Sequence, residues 1–128
     1  MKIYCDLDRV LVDFDKGIFD IFGKTTKPLD KYIFWKIVRN TPDFYNALNW
    51  THDGKELWNY IKKYNPIILT AIPMYGGWAK KQKIEWCDRE LGKKVKVEIT
   101  YTRYKYKRSA KDHILIDDKL ELKEPWND

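Results

Sequence analysis

Two carboxylates that lie one residue apart form the first candidate for a chemical site in this sequence. Asp6 and Asp8 follow residues 3–5, a short apolar run of the residue types that buried strands prefer. A strand that stops at Asp6 places this carboxylate at the strand's carboxyl end, where ligands bind in open α/β sheets. The same side chains could instead cap a turn or the helix that follows. The stretch by itself leaves both interpretations open.

Further polar residues end two later apolar runs. Thr70 lies near the end of a β-branched run, and Asp117 and Asp118 directly follow another apolar run. In a parallel sheet the strand ends share one edge, so these side chains would converge with the first two aspartates. Clustered carboxylates repel one another and need a counterion, and ligand sets made only of oxygen favour Mg²⁺. Lys107 could balance the remaining charge of an anionic substrate.

The apolar runs alternate with helical patterns, which predicts a parallel sheet with right-handed crossovers. Strands are predicted at residues 3–5, 66–71, 95–99 and 113–116, the third of them near an edge of the sheet. Helices are predicted at residues 14–22, 29–39, 52–64 and 78–91. The predicted fold class is therefore α/β.

Helical spacing also predicts which side chains the helices bury. In the second helix the stripe is Leu29, Tyr32, Ile33 and Ile37, with Phe34 and Trp35 partly off it. In the third helix the stripe is Leu57, Ile61 and Tyr64, with Thr51 as the capping residue. In the fourth helix the stripe is Ile84, Cys87 and Leu91.

Composition narrows the class of protein. The chain has 128 residues, of which 44% are hydrophobic and 34% charged, as expected for one globular domain. No apolar stretch approaches the roughly 18 to 20 residues of a membrane span. Acidic residues precede any signal-peptide core, so we expect a cytoplasmic protein without membrane association. Cys5 and Cys87 lack Cys-x-x-Cys spacing, which favours buried free thiols over a disulfide or a zinc site.

A formal net charge of +6 and a pI near 9.2 favour anionic partners. The charge is concentrated in residues 103–111, where lysines and arginines are interleaved with tyrosines. Such a run is either a solvated face or a surface that binds phosphate or nucleic acid. The sequence leaves both interpretations open.

In chain order, these elements resemble the haloacid dehalogenase (HAD) superfamily of phosphohydrolases, and more narrowly its 5'-nucleotidase and 5'(3')-deoxyribonucleotidase branch. The matching motifs are residues 6–14, residues 68–71, Lys107 and residues 114–118, in that order. The resemblance implies a Rossmann-like parallel core made of residues 1–14 and 51–128. It also implies that residues 15–50 form a small helical cap, inserted after the first strand and packed with the core as one compact unit.

The resemblance further implies a Mg²⁺-dependent phosphomonoester hydrolase that acts on nucleotides through an aspartyl phosphate. Asp6 is then the nucleophile, and Asp8 is the general acid for the leaving oxygen and later the base for water. Thr70 would bind a phosphate oxygen, and Lys107 would neutralise charge on the phosphate and on Asp6. The implied metal ligands are the Asp6 carboxylate, the Asp8 backbone carbonyl and the Asp117 carboxylate. Asp118 is implied to contact the metal through water or to lie outside the coordination sphere.

Several residues are implied to bind the substrate. They are Phe14, Phe34, Trp35, Phe44, Ala71 and Lys105. The aromatic side chains suit stacking on a nucleobase, and Phe14 matches the pocket aromatic that closes the first motif. The same aromatics could equally form the core of the cap. Ala71 belongs to the second motif, and Lys105 stands where relatives can carry arginine.

Two departures from the family pattern leave alternatives open. Arg9 stands where the family often has glycine, and the chain ends ten residues after Asp118, so the helix and strand that usually follow are missing or shortened. A homo-oligomeric partner is one way to cover the sheet edge that this exposes. The alternative functions are a phosphatase of polynucleotide 3' ends and a non-catalytic nucleic-acid-binding protein on a HAD scaffold.

Overall fold

The structure is a computed structural model, which describes residues 2–23, 30–73, 76–101, 104 and 112–117. In these residues the chain forms an α/β fold with a four-stranded sheet whose strands are all parallel. The strands are β1 (Lys2–Cys5), β2 (Ile67–Ala71), β3 (Val97–Thr100) and β4 (His113–Ile116). The helices are α1 (Phe14–Phe22), α2 (Lys31–Arg39), α3 (Gly54–Ile61), which a 3₁₀ turn at Lys62–Tyr64 follows, and α4 (Gly77–Glu90). The predicted fold class and parallel sheet are confirmed.

The strands lie side by side in the order β3-β2-β1-β4. The chain thus moves outward from β1 to β3 and then crosses to the other side of β1, which is consistent with a Rossmann-like α/β fold. The third strand lies at an edge, as its alternating pattern predicts. The order reverses between β1 and β4, and in open parallel sheets ligands bind beyond the carboxyl ends of the strands at such a point.

One hydrophobic core joins the sheet to the helices. Cys5 of β1, Ile68 of β2 and Val38 of α2 are all 0% exposed and belong to the same buried cluster. Residues 15–50 therefore share their core with the strands. Both cysteines are buried and free, as predicted. Within the described part of the chain, no helix has the length and apolar character that crossing a membrane requires.

The first helix begins and ends at the residues that the sequence predicts. The Asp13 carboxylate accepts a hydrogen bond from the Lys16 amide at 3.1 Å and so caps the first turn. Gly23 ends the helix with a φ of 57°, which glycine adopts at little cost. A Cβ at Gly17 would collide with the Leu48 side chain, so the chain around Leu48 packs directly onto this helix.

The predicted buried face of α2 is wrong. Three residues of the predicted stripe are exposed, namely Tyr32 at 75%, Ile33 at 48% and Ile37 at 37%; Leu29 lies outside the described residues. The helix instead turns Val38 and the half-buried rings of Phe34 and Trp35 towards the core. Phe34 stacks on Phe22 of α1 with ring centroids 5.5 Å apart. Burial of large apolar rings is favourable, and in this helix these rings and Val38 face the core in place of the predicted stripe.

The third helix begins later than predicted, and Thr51 does not cap it. Its N-cap residue is Asp53, whose side chain makes no capping hydrogen bond. The Thr51 hydroxyl instead donates to the Val10 carbonyl at 2.9 Å, which ties this segment to the turn after β1. Tyr64, which the helical pattern places on the buried face, is 50% exposed because a 3₁₀ turn has replaced the α-helix there.

The buried face of α4 is also rotated relative to the predicted one. Its buried residues are Ala79, Lys83, Trp86 and Cys87. Of the predicted stripe, Cys87 is confirmed, whereas Ile84 and Leu91 are only partly buried. A stripe chosen from apolar residues alone omits Lys83, because the burial of a lysine depends on partners outside its own helix.

Candidate functional site

Asp6 and Asp117 lie at the ends of neighbouring strands. Asp6 directly follows Cys5 at the end of β1, and Asp117 directly follows Ile116 at the end of β4. Cys5 and Ile116 lie opposite each other in these two paired strands. The Asp6 amide donates to the Ile116 carbonyl at 2.9 Å, so the pairing continues one residue beyond β1. Because neighbouring strands are about 4.8 Å apart, the two aspartates are adjacent at the carboxyl edge of the sheet. Asp6 is 3% exposed there.

A buried lysine connects Asp8 to the end of β2. The Lys83 ammonium donates to Asp8 Oδ2 and Thr70 Oγ1, both at 2.9 Å, and to the Ala71 carbonyl oxygen at 2.5 Å. Lys83 and Thr70 are 0% exposed, whereas the Asp8 side chain is 23% exposed. An ammonium has three N–H donors, so these bonds use all of them. This complete pairing is what makes a buried lysine tolerable.

The second carboxylate oxygen of Asp8, Oδ1, is not bonded to Lys83. Asp8 Oδ1 is buried and has no hydrogen-bond partner within the described part of the chain. Buried polar atoms in folded proteins are nearly always satisfied by protein, water or a ligand. Since Lys83 holds Oδ2, Oδ1 is the oxygen of Asp8 that a bound group can engage.

Tyr45 forms a wall of this cluster. The Lys83 ammonium lies 4.6 Å from the centroid of the Tyr45 ring, in cation–π geometry. Burial raises the pKa of Tyr45 well above 10.0, the negative charge of Asp8 raises it further, and the positive charge of Arg9 lowers it. The phenol is therefore neutral at physiological pH and gives Lys83 an aromatic face without adding a charge.

The backbone that carries Asp8 is fixed by its own hydrogen bonds. The Leu7 carbonyl accepts from the amides of Leu11 and Val12, both at 2.9 Å, and the Val12 carbonyl accepts from the Arg9 amide at 2.8 Å. Leu7, Leu11 and Val12 are at most 2% exposed. Asp8 is thus positioned by a packed turn.

Arg9 occupies this turn with a backbone conformation that is unusual for its residue type. Its φ is 65°, which costs a residue with a Cβ about 1–2 kcal/mol. Its Nε donates to Asp15 at 2.9 Å, but the two side chains are 42% and 71% exposed, and such pairs contribute about 0–1 kcal/mol. The guanidinium lies 5.1 Å from the Phe14 ring centroid, a contact worth about 0.5–1 kcal/mol at exposed sites. These contacts do no more than offset the backbone cost.

The aromatic residues that the resemblance assigns to substrate binding pack mainly against one another. Phe14 is 9% exposed and Phe44 is 4% exposed, with their rings meeting edge-on at 5.8 Å. Tyr45 stacks on Phe14 at 6.1 Å, which connects the aromatic cluster to Lys83. Phe34 and Trp35 are only half-buried. These contacts suit both interpretations, a core of the cap and the border of a binding site.

Hydrogen bonds tie Tyr45 and the residues after it to α4. Gln82 Oε1 accepts from the amides of Tyr45 and Asn46, at 2.8 and 3.3 Å. The Trp86 indole donates to the Leu48 carbonyl at 2.8 Å. Helix α4 therefore positions Tyr45 from one side and supplies Lys83 from the same turn.

Three of the predicted site residues lie outside the described part of the chain, namely Lys105, Lys107 and Asp118. Among the residues that are described, no three acidic, histidine or cysteine side chains form a group that could hold a metal ion. Asp6, Asp8, Thr70, Ala71 and Asp117 are all at the carboxyl edge of the sheet or on the turn beside it.

Sequence reasoning missed Lys83 and Tyr45. A signal for Lys83 exists, because it is four residues after Ala79 and three before Trp86, on the face that these small and aromatic residues share. A lysine on a buried stripe requires an acidic partner, and the structure identifies that partner as Asp8. Tyr45 gives no comparable signal, since it lies in a short apolar stretch without clear periodicity.

The chain matches none of the protein-family models, and no curated protein matches it.

Proposed function

We propose that this chain is a Mg²⁺-dependent phosphomonoester hydrolase of the HAD type, which acts on nucleotides through an aspartyl phosphate. The proposal is carried by one observation, the hydrogen-bonded cluster of Asp8, Lys83 and Thr70 at the strand ends beside Asp6. In this proposal residues 1–14 and 51–128 are the HAD core and residues 15–50 are the cap. The family motifs supply the roles of the residues, and the observed bonds refine them.

In the first step, Asp6 attacks the phosphorus atom while the bond to the leaving oxygen breaks. Asp8 donates a proton to that oxygen, which leaves as an alcohol. In the second step, Asp8 removes a proton from water, which attacks the aspartyl phosphate, releases phosphate and restores Asp6. Oδ1 of Asp8 is the oxygen that exchanges protons, because Lys83 holds Oδ2.

Lys83 has a positioning role in this scheme. It is fully buried and its three donors are used by Asp8, Thr70 and Ala71, so it orients the general acid and the threonine. Thr70 accepts from Lys83, which leaves its own hydroxyl hydrogen to donate to a phosphate oxygen. Neutralising the charge of the phosphate remains the role of Lys107.

The donors at the sheet edge fit a magnesium ion that is bound together with its substrate. Asp6 and Asp117 supply two adjacent carboxylates, and Mg²⁺ is usually held by one or two carboxylates, with phosphate and water completing its coordination. Asp118 and the Asp8 carbonyl are the further ligands that the motifs imply. When bound, the ion would stabilise negative charge on the transferring phosphoryl group.

A phosphatase screen over 5'- and 3'-mononucleotides and p-nitrophenyl phosphate, with Mg²⁺, tests the proposal. We expect turnover by the parent protein, and a loss of at least about a thousand-fold in kcat for Asp6→Asn. EDTA should remove the activity, and added Mg²⁺ should restore it. Asp20→Asn, which removes an exposed carboxylate of α1, serves as the matched control and should retain activity. Hydrolysis that survives both Asp6→Asn and EDTA would refute the proposal.

The same screen addresses the non-catalytic alternative. A nucleic-acid-binding protein on this scaffold would bind oligonucleotides with steep salt dependence and would hydrolyse none of the substrates. Mg²⁺-dependent turnover that disappears in Asp6→Asn excludes that alternative.

A further inference from the structure

We propose that the amino edge of the sheet, opposite the edge that carries the candidate site, binds single-stranded nucleic acid. The surface concerned consists of Lys2, residues 60–64 and residues 93–96, and is called the amino-edge surface below. It is distinct from the basic residues 103–111. The inference goes beyond the proposed hydrolase activity and does not depend on it.

The parallel sheet brings the parts of the amino-edge surface together. All strands of a parallel sheet begin at the same edge, so the segments that enter β1, β2 and β3 lie side by side. Lys2 is the first residue of β1, and Tyr4 pairs with Ile67 at the start of β2. The Ile68 amide donates to the carbonyl of Lys96, which directly precedes β3, at 2.9 Å. Because neighbouring strands are about 4.8 Å apart, the three entering segments form one surface.

The amino-edge surface is strongly basic. Residues 60–64 and 93–96 contain five lysines and no acidic residue, and Lys2 adds a sixth positive charge. All six lysines are exposed. Within the described part of the chain, Lys96 pairs with Glu98 at 3.4 Å, and the other five lysines form no ion pair. Exposed lysines without acidic partners are suited to neutralise the phosphates of a polynucleotide, which releases the counterions of the phosphates.

Two exposed tyrosine rings lie among these lysines. Tyr60 is 69% exposed and Tyr64 is 50% exposed. The Lys63 ammonium lies 5.8 Å from the Tyr60 ring centroid and 5.1 Å from that of Tyr64, within cation–π range of both. Proteins that bind single strands combine a basic surface with aromatic rings on which successive bases stack. The two rings and the lysine between them provide both components.

The bland roles of these side chains account for only part of the surface. Lysines near the carboxyl end of a helix interact favourably with the helix dipole, which accounts for Lys62 and Lys63 after α3 and for Lys93 and Lys94 after α4. The dipole accounts neither for Lys2 at the start of a strand nor for the exposed rings. Anionic membranes would require an apolar face that inserts. Tyrosine rings among lysines favour a polyanion that carries bases.

The test measures binding of a fluorescent oligothymidylate of about 15 nucleotides by anisotropy. The oligonucleotide has no terminal phosphate, so it offers no phosphomonoester to hydrolyse. We expect the parent protein to bind it at about 50 mM salt and to bind more weakly towards 200 mM. Tyr60→Ala combined with Tyr64→Ala should raise Kd about ten-fold or more. Tyr60→Phe combined with Tyr64→Phe should bind like the parent, because the rings remain.

The lysines are tested through the salt dependence of binding. Lys62→Ala combined with Lys63→Ala should reduce the slope of log K against log salt by about 1.4, as for two phosphate contacts with a single strand. Tyr32→Ala combined with Lys36→Ala is the matched control, because it removes an exposed tyrosine and an exposed lysine from α2. It should leave both Kd and the slope close to those of the parent. An equal effect of the control overturns the inference.

Three further results would overturn the inference. The first is failure of the parent to bind the oligonucleotide at about 50 mM salt, also where it binds vesicles of phosphatidylcholine and phosphatidylserine, which would identify a membrane surface. The second is an unchanged Kd for Tyr60→Ala combined with Tyr64→Ala. The third is binding that is lost in Arg103→Ala combined with Arg108→Ala and kept in the amino-edge variants. None of these results bears on the proposed hydrolase activity, which the phosphatase screen tests separately.

Discussion

Lys83 links residues from distant parts of the chain at the candidate site. It bonds Asp8 after β1 and Thr70 in β2, and it faces the ring of Tyr45 in the segment before α3. Burying an ammonium is costly unless every donor is paired, so this lysine and its partners form one energetic unit. Removing one member leaves at least one hydrogen bond of the remaining members unmade.

We therefore expect Lys83→Met to lower the free energy of unfolding by about 2 kcal/mol or more, because it leaves the buried Thr70 hydroxyl and the partly buried Asp8 carboxylate without this partner. Combining it with Asp8→Asn should recover part of the loss, since the uncompensated charge is then removed. Urea unfolding of the three proteins measures both effects. Lys80→Met, on the exposed side of the same helix, is the control and should change stability by less than about 0.5 kcal/mol. Equal urea midpoints for Lys83→Met and Lys80→Met would contradict this account.

Cys87 lies one helical turn from Lys83, and its thiol makes the free energy of unfolding depend on pH in the alkaline range. Burial raises the pKa of its thiol from 9.0 to about 12, against the opposing effect of the Lys83 charge. The folded state then holds its proton where the unfolded state has lost it. This stabilisation is complete below pH 9.0 and is lost as the pH rises towards about 12.

The measurement compares the parent with Cys87→Ala by urea unfolding at pH 8 and near pH 11. Over this pH range the free energy of unfolding of the parent should fall by about 2–3 kcal/mol more than that of the variant. The variant is the reference because it shares every other titrating group. Parallel losses in the two proteins would show that the thiol does not contribute.

At the scale of the elements, α2 and α4 are oriented by side chains that pattern alone does not single out. In α2, Val38 and the half-buried rings of Phe34 and Trp35 face the core in place of the stripe that spacing predicts. In α4, Trp86 and the paired Lys83 define the buried face. The orientation of α4 matters most, because the same helix also holds Tyr45 through Gln82.

A matched pair of substitutions tests the observed face of α2. Val38→Ala should lower the free energy of unfolding by about 1–3 kcal/mol, because Val38 is 0% exposed. Ile33→Ala should change it by less than about 0.5 kcal/mol, because Ile33 is 48% exposed. Urea unfolding of both variants provides the comparison. A larger loss of stability in Ile33→Ala than in Val38→Ala would show that the face predicted from spacing is the buried one.

At the scale of the whole molecule, residues 15–50 and the strands share one hydrophobic core. Ile18, Val38 and Phe44 belong to the same buried cluster as Cys5 and Ile68. Hydrogen bonds from α4 to Tyr45 and Leu48 add to this connection. A shared core makes separate unfolding of the two parts unfavourable.

We accordingly expect a single unfolding transition. Urea curves recorded by far-UV circular dichroism and by tryptophan fluorescence should coincide for the parent. Val38→Ala and Ile68→Val, one substitution in each part, should shift both curves together. A variant that splits the curves, or moves one probe alone, would show that residues 15–50 unfold independently.

Local information in the sequence determined the α/β class, the parallel sheet and the bounds of α1. Apolar runs of strand length alternate with helical patterns, and Gly23 ends the first helix by its own chemistry. Polar residues at the strand ends also determined that Asp6, Thr70 and Asp117 share one edge of the sheet, because the carboxyl ends of parallel strands lie at the same edge.

The tertiary structure alone decided which face of α2 is buried, that Lys83 lies inside the protein, and that Tyr45 faces it. Each depends on partners far away in the sequence, so propensity and spacing within one element cannot determine it. Lysine is ordinarily exposed. The burial of Lys83 is favourable only because its ammonium donates hydrogen bonds to Asp8, Thr70 and the Ala71 carbonyl, which the fold brings together. The sequence supplied the two aspartates, and the folded chain determined which oxygen of Asp8 Lys83 holds and which has no hydrogen-bond partner among the described residues.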